Sequence, residues 1–316
     1  MQWPLSCGSP QKLLMQNQSA RGILYLCLGV FIFSLQDAII KQVSAGYALT
    51  EVVFLRSCVG LPILLVLVQR EVGLRALLSS HLLALALRAL IMFGAYTAYY
   101  MAFPALPLAD AVALYFTVPL FVTAMAGPVL GEHIGWKVWA AVVLGFAGVL
   151  VMLQPGTGLF EPAALLSLIS AALYGTAMLM ARKMGSRLPT SVMAFYQNGF
   201  FLLGAAFAAT VLHLAGIENA SHPSVVFLVR PWVMPTLLDG SLIAVCGVVA
   251  AVGTLFLTAA YRVAKSSTVT PFEYTGILWA PLWGFLFFAE VPKLTTLMGA
   301  AIILVAGLIA MRMAHK

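Results

Sequence analysis

The chain has 316 residues, 62% of them hydrophobic and only 9% charged. A water-soluble domain carries about 25% charged residues, so this composition excludes a soluble globular protein and points to a lipid bilayer. The net charge of +7 is spread along the sequence rather than gathered into a patch, which argues against nucleic acid as a partner and leaves the basic residues to set orientation in a membrane.

Residues 1–20 are polar, contain Pro4, Pro10 and Lys12, and lack the apolar core of a cleavable signal. They read as a disordered cytoplasmic tail, with Met15 as an alternative natural start. A spanning helix needs about 20 apolar residues. The runs between polar breaks predict ten of them, at 22–43, 51–69, 82–103, 108–130, 136–153, 162–182, 191–214, 237–261, 267–289 and 295–312. Most connections are very short, so successive helices are expected to be antiparallel neighbours. The one long connection, 215–236, carries Val225, Val226, Phe227 and Trp232 and is expected to lie along the outer interface. Cys7, Cys27, Cys58 and Cys246 show no CxxC spacing and read as packing residues, neither disulfides nor metal ligands.

Of the 17 lysines and arginines, Arg56 and Arg88 fall inside predicted spans, and Lys41, Arg230 and Lys293 fall on one side of the membrane. The other twelve, from Lys12 to Lys316, fall on the opposite side. Positive residues favour the cytoplasm, so both termini are expected there.

The stretches 110–152 and 268–310 share one layout: an apolar helix, a short polar corner holding Glu132 or Glu290, and a glycine-bearing helix. The two glutamates lie 158 positions apart, half the chain. Nearer the start of each half, Lys41 matches Arg182 and Arg56 matches Gln197, both at an offset of 141. The 17 extra residues are supplied by the 215–236 connection. Two similar halves of five helices each, at 21–155 and 160–312, must lie in opposite senses across the membrane, an inverted repeat.

An ionisable group inside hydrocarbon costs about 2–3 kcal/mol or more, so it is a functional candidate. Asp37 sits about 22 Å from the inner end of the first helix and Arg56 about 7 Å in from the outer end of the second. In a core about 30 Å thick the two are level, and an Asp37–Arg56 pair facing the bundle interior is the leading constellation. The competing arrangement pairs Asp37 with Lys41 one turn on, with Arg56 snorkelling outward. In the third helix Arg88, Met92, Tyr96, Tyr99 and Phe103 share one face. A cation with aromatic rings along a stripe suits a flat or anionic substrate, with Arg88 near enough to the inner end to reach water and Phe103 read as packing. Gln197 and Asn198 can orient a ligand or bond between helices.

Glu273, preceded by Thr270-Pro271, lies a third of the way into the ninth helix. There it could take up or release a proton or hold a cation, helped by the carbonyl that the proline frees. Asp110 reads as a first-turn acid on a helix dipole. Glu132 and Glu290 read as caps and anchors, and Gly145, Gly148, Gly299 and Gly307 as small positions for close helix approach. No catalytic or metal-ligating constellation is present: the chain has no HExxH, GxSxG or GxxxxGK[ST] motif, only isolated His81, His133, His213, His222 and His315.

On Pro119, the Gly131-Glu132 corner, Trp136 and the glycine-bearing fifth helix, echoed around Glu290 and Gly299, the chain resembles the EamA-type branch of the drug/metabolite transporter superfamily over residues 21–312. The second copy departs from the pattern with Ala289 in place of glycine and Pro292 in the corner. The text FSLQDAIIK followed by FLRS is similar to a subgroup that includes S-adenosylmethionine uptake and riboflavin transporters. The resemblance implies an all-α polytopic secondary transporter in the inner (plasma) membrane, moving a small organic metabolite by alternating access. It implies no cofactor, a monomer or homodimer, and proton coupling as an option at Glu273. The alternative within the family is export of amino acids or other metabolites; an intramembrane enzyme is a remote rival.

Overall fold

The computed structural model describes residues 10–78, 81–130, 135–155, 160–184, 188–217, 220–263 and 270–314. Their helices are α1 (Pro10–Val43), α2 (Leu49–Glu71), α3 (Leu82–Ala102), α4 (Leu108–Tyr115), α5 (Val118–Leu130), α6 (Trp136–Leu153), α7 (Ala163–Met184), α8 (Thr190–Leu214), α9 (Pro223–Val229), α10 (Leu237–Val263), α11 (Gly276–Phe288) and α12 (Leu294–Ala314). Short 3-10 turns lie at Leu74–Leu77 and Thr270–Thr275. Among the described residues eight segments are long and apolar enough to cross a membrane, and Leu294–Ala310 is a shorter apolar helix. The physical reason is common to all: only a helix satisfies every backbone N–H and C=O without water.

Several elements differ from the sequence expectation. The first helix begins at Pro10 rather than at 22, so residues 10–20 continue it instead of forming an irregular tail. Proline is well suited to that position, because the first helical N–H has no partner to lose. The fourth predicted helix is broken into α4 and α5 at Phe116-Thr117. Pro119 has no N–H for the carbonyl one turn back, and its ring disfavours helical backbone at Val118. The hydroxyl of Thr117 donates to the Leu114 carbonyl at 2.7 Å and satisfies part of the interrupted ladder.

The ninth predicted helix enters through the 3-10 turn that holds Pro271 before α11 begins. It ends on Ala289 at φ 53°, the left-handed conformation that glycine adopts without strain. The Gly131–Ile134 corner with Glu132 and His133, and the basic residues Arg187 and Lys265, lie outside the described residues.

Successive helices are not the main packing neighbours. Instead α1 packs along α10, α2 along α8 and α10, α3 along α7 and α8, α4 against α11, and α6 along α12. The short connections fix sequence order, while apolar faces find partners across the two halves. Of the predicted small positions, Gly148 and Gly299 meet each other. A Cβ on Gly148 would come within 2.9 Å of the Gly299 carbonyl oxygen, and one on Gly299 within 2.6 Å of the Gly148 carbonyl oxygen. Backbone therefore lies on backbone at the α6–α12 crossing. Leu120 covers Gly145, and Tyr274 covers Gly307.

The 215–236 connection does not lie along the lipid interface throughout. Its short α9 turns Phe227 fully inward, 1% exposed, against α2 and α3. The Trp232 indole N–H donates to the Thr50 hydroxyl at 2.9 Å, while Ile217, Val225, Trp232, Val233 and Met234 keep exposed surface.

Gly148→Leu or Gly299→Val should force the α6–α12 crossing apart and lower stability by about 1–3 kcal/mol, read as an earlier thermal midpoint in detergent. Ala289→Gly should raise that midpoint, because it relieves about 1 kcal/mol of left-handed strain. An unchanged midpoint for Ala289→Gly would mean the backbone there is not strained.

Candidate functional site

A cavity of about 590 Å³ lies among α1, α3, α4, α5, α7, α8, α10, α11 and the Thr270–Thr275 turn. That is the usual size for a small-molecule site, and both halves contribute to it. Both interrupted elements reach it: Tyr115, Phe116 and Pro119 from the α4–α5 break, and Glu273, Tyr274 and Gly276 from the turn before α11. Irregular backbone at membrane depth is tolerated where it is buried in protein or lines such a cavity.

The α3 stripe supplies one wall. Arg88, Met92, Tyr96 and Tyr100 recur every fourth residue, with Tyr99 beside them, and all five line the cavity. Phe103, on the same predicted face, is fully buried packing. The rings close a circuit of five tyrosines, with centroids 4.6 Å apart for Tyr99–Tyr115, 5.6 Å for Tyr115–Tyr174 and 6.5 Å for Tyr96–Tyr174. Tyr96–Tyr100 at 5.7 Å and Tyr99–Tyr100 at 5.5 Å complete it. Tyr100, Tyr115 and Tyr174 were not singled out from sequence. Tyr100 was legible as the next i+4 step from Tyr96; the other two carry no periodic signal.

Asp37 lines the cavity, and its carboxylate accepts from the Tyr99 hydroxyl at 2.9 Å. The expected Asp37–Arg56 contact is absent. Arg56 lies outside the lining, 3% exposed, with its guanidinium 5.4–5.9 Å from the rings of Phe201, Tyr100 and Tyr96. It neither snorkels outward nor touches a carboxylate. Gln36 stands between the two layers. With its amide turned to satisfy both ends, the oxygen accepts from Arg56 at 3.3 Å and from Tyr100 at 2.9 Å, and the nitrogen donates to the Cys246 carbonyl at 3.0 Å. Helix depth was readable from residue counting; rotation about the helix axis, which decides contact, was not.

Arg88 and Gln197 line the cavity together. Arg88 is only 7% exposed, so it does not reach out to water. Asn198 faces away and donates to the Ser57 carbonyl at 3.3 Å. Glu273 is part of the lining. Acids and a guanidinium thus share one aromatic chamber. Among the described residues no group of His, Cys, Asp or Glu side chains is arranged to hold a metal.

One end of the bundle is fastened by polar contacts. The Lys41 ammonium meets Glu290 at 2.5 Å and the Leu106 carbonyl at 2.7 Å, so the Asp37–Lys41 alternative is also absent. The second Glu290 oxygen accepts the Leu108 backbone N–H at 2.8 Å, which makes Glu290 the cap and anchor that its place at a corner implied. Asp110, in the first turn of α4, accepts from the Thr296 hydroxyl at 2.6 Å. Tyr47 bonds Asp239 at 2.7 Å, and Arg230 bonds the Ser44 carbonyl at 3.2 Å. The lining extends the other way, to Ala181 near the end of α7, Thr190 at the start of α8 and Leu257 late in α10.

The EamA-like transporter family matches this chain twice, over residues 20–154 and 161–312. The pseudopaline exporter CntI of Pseudomonas aeruginosa is 30% identical over 287 residues, 90% of this chain and 94% of that protein. An S-adenosylmethionine uptake transporter of Rickettsia prowazekii is 26% identical over 91% of each chain. A riboflavin transporter of Rhizobium johnstonii is 32% identical over 66% of this chain and 63% of its own. A crystal structure 17% identical superposes with a TM-score of 0.63, covering 93% of this chain and 99% of that one. The chain belongs to the EamA-like transporter family: it is a multi-pass membrane transporter and not an enzyme.

Because Asp37 and Arg56 do not touch, the swapped pair Asp37→Arg with Arg56→Asp should transport no better than either single variant. Arg56→Lys should lose about tenfold or more, since an ammonium cannot lie flat among three rings; full uptake by Arg56→Lys would make the ring contacts irrelevant. Glu290→Gln keeps an acceptor for Leu108 but removes the charge facing Lys41. It should cost about 1–3 kcal/mol of stability, read as a lower thermal midpoint.

Proposed function

We propose that this transporter carries a small organic metabolite by alternating access between two inverted five-helix halves, residues 21–155 and 160–312, preceded by a cytoplasmic segment of about twenty residues. The observation that carries this reading is the cavity itself, walled by both halves, fastened at one end and extending toward the other. Ten crossings are supported by counting each interrupted element, α4 with α5 and the 270–275 turn with α11, as one span. The helix pairings support the repeat, because exchanging each helix of one half for its counterpart maps α1–α10 onto α3–α7 and α2–α10 onto α3–α8.

The lysine and arginine distribution supports cytoplasmic termini and an inner-membrane location. On that orientation the Lys41–Glu290 end is external and the cavity extends toward the cytoplasm. Asp37, Arg56, Arg88, Tyr96, Tyr99, Gln197 and Asn198 remain the proposed substrate-handling set. Asp37, Arg88, Tyr96, Tyr99 and Gln197 act at the cavity wall, and Arg56 and Asn198 act from the layer behind it. Glu273, exposed to the same chamber, is the proposed proton-coupling group. The transporter acts as a monomer or homodimer.

Substrates resembling those named for its relatives suit a chamber of tyrosines with charges of both signs. Uptake of S-adenosylmethionine or riboflavin is the first reading, and export of amino acids or other metabolites is the second, favoured by the likeness to an exporter. Proteoliposomes containing the full chain should accumulate one of these compounds, and vesicles that accumulate none would count against the reading. A C-terminal fusion should fluoresce as green fluorescent protein and stay silent as alkaline phosphatase; active phosphatase would overturn the ten-span topology. Glu273→Gln should abolish the response of uptake to a proton gradient while substrate exchange continues. Gradient-driven uptake by that variant would leave Glu273 without a coupling role.

A further inference from the structure

We propose that Arg88 and Gln197 form a carboxylate-binding subsite, so that the substrate is an extended metabolite with a free carboxylate at one end and a ring or cationic group at the other. This rests on the reading of the cavity as the transport site. Arg88 is 7% exposed and lines the chamber. Its Nε–H has no hydrogen-bond partner, and its polar contact with Gln197 is a long one, 3.5 Å from Nη1 to Oε1. No described carboxylate pairs with it. A buried guanidinium that lacks a counter-ion is costly to hold, and this one borders the cavity. The planar fork of arginine matches a carboxylate with two parallel N–H bonds.

The remaining lining decides between anions. Asp37 and Glu273 open onto the same chamber, so a phosphate dianion would face two acids across an apolar space. A single carboxylate on Arg88 leaves Asp37 and the five tyrosine rings for a cation or flat ring system, through charge and stacking. Arg88 and Tyr99, the partner of Asp37, are eleven residues apart on α3, about 16 Å along the axis. One ligand that reaches both ends is therefore longer than a simple amino acid.

The test measures binding to the full chain in detergent with matched probes: S-adenosylmethionine against its decarboxylated form, and the dipeptide Lys-Tyr against its C-terminal amide. Riboflavin serves as a ring system without a carboxylate. At least one carboxylate probe should bind, with its counterpart about tenfold or more weaker. Arg88→Gln should erase the difference and Arg88→Lys should keep part of it. Should Arg88→Gln fail to fold, Gln197→Leu carries the same test, because it removes the second polar group of the subsite and should narrow the difference. Equal binding within the pairs, a difference that survives these substitutions, or no carboxylate probe bound would each overturn the subsite. Riboflavin uptake indifferent to Arg88→Gln would do so while leaving the transport reading intact.

Discussion

Glu290 holds three parts of the molecule with one carboxylate. One oxygen takes the Lys41 ammonium from the end of α1, and the other takes the Leu108 N–H at the start of α4. The residue itself follows α11, whose last turn closes through the Glu290 N–H on the Gly284 carbonyl at 3.0 Å. Lys41 adds the Leu106 carbonyl and the face of Phe288 at 5.3 Å. Lys41 and Glu290 are largely buried, with side chains 10% and 23% exposed, so these contacts offset the cost of withdrawing their charges from water. The clasp therefore sets where α1, α4 and α11 converge, and these are three of the elements that wall the chamber. The strained backbone at Ala289 follows from the same demand, since a left-handed residue there turns the chain so that Glu290 can reach inward.

Below the clasp, the chamber treats its two arginines differently. Arg56 is wrapped by Tyr96, Tyr100 and Phe201, with Gln36 as its polar neighbour. Ring faces offer partial negative charge in place of a carboxylate, and they leave Asp37 free to face the cavity with Tyr99. Arg88 has no such wrapping and keeps an unpartnered N–H. Two like residues thus do different work: one positions the tyrosines from behind, and the other presents its charge to the chamber.

Much of this was legible in the sequence, because hydrocarbon leaves helices as the only open solution and a spanning helix has a minimum apolar length. The same pressure made the charged outliers Asp37 and Arg88 visible, and it made the α3 stripe readable by its period. Gly148 and Gly299 were readable because small residues permit backbone contact. What escaped was rotation and partnership. Asp37 and Arg56 are at one depth, yet a tyrosine layer separates them, and no count along a helix reveals which way each side chain points. Tyr115 and Tyr174 sit in largely apolar helices, where a single hydroxyl leaves no pattern. The break at Phe116-Thr117 was signalled by Pro119, but proline within an apolar run is also compatible with a kinked continuous helix, and the sequence alone does not separate the two.

The α6–α12 pair, joined backbone to backbone at Gly148 and Gly299, contributes nothing to the cavity wall, nor does α2. These helices brace the bundle from outside. On the proposed alternating-access reading, opening the fastened end would require Glu290 to leave Lys41 and Leu108, and α11 and α4 to move against α1 while the brace stays packed. Both elements adjoin a departure from the α-helical ladder, the turn at Phe116-Thr117 and the 3-10 turn at Thr270–Thr275. A change of φ and ψ there would fall where the backbone already departs from the α-helical ladder, whereas bending an intact spanning helix would expose carbonyls to lipid. With both joints on the cavity wall, such movement would be coupled to the chamber's contents, because a ligand that contacts Tyr115 or Glu273 contacts the joint itself.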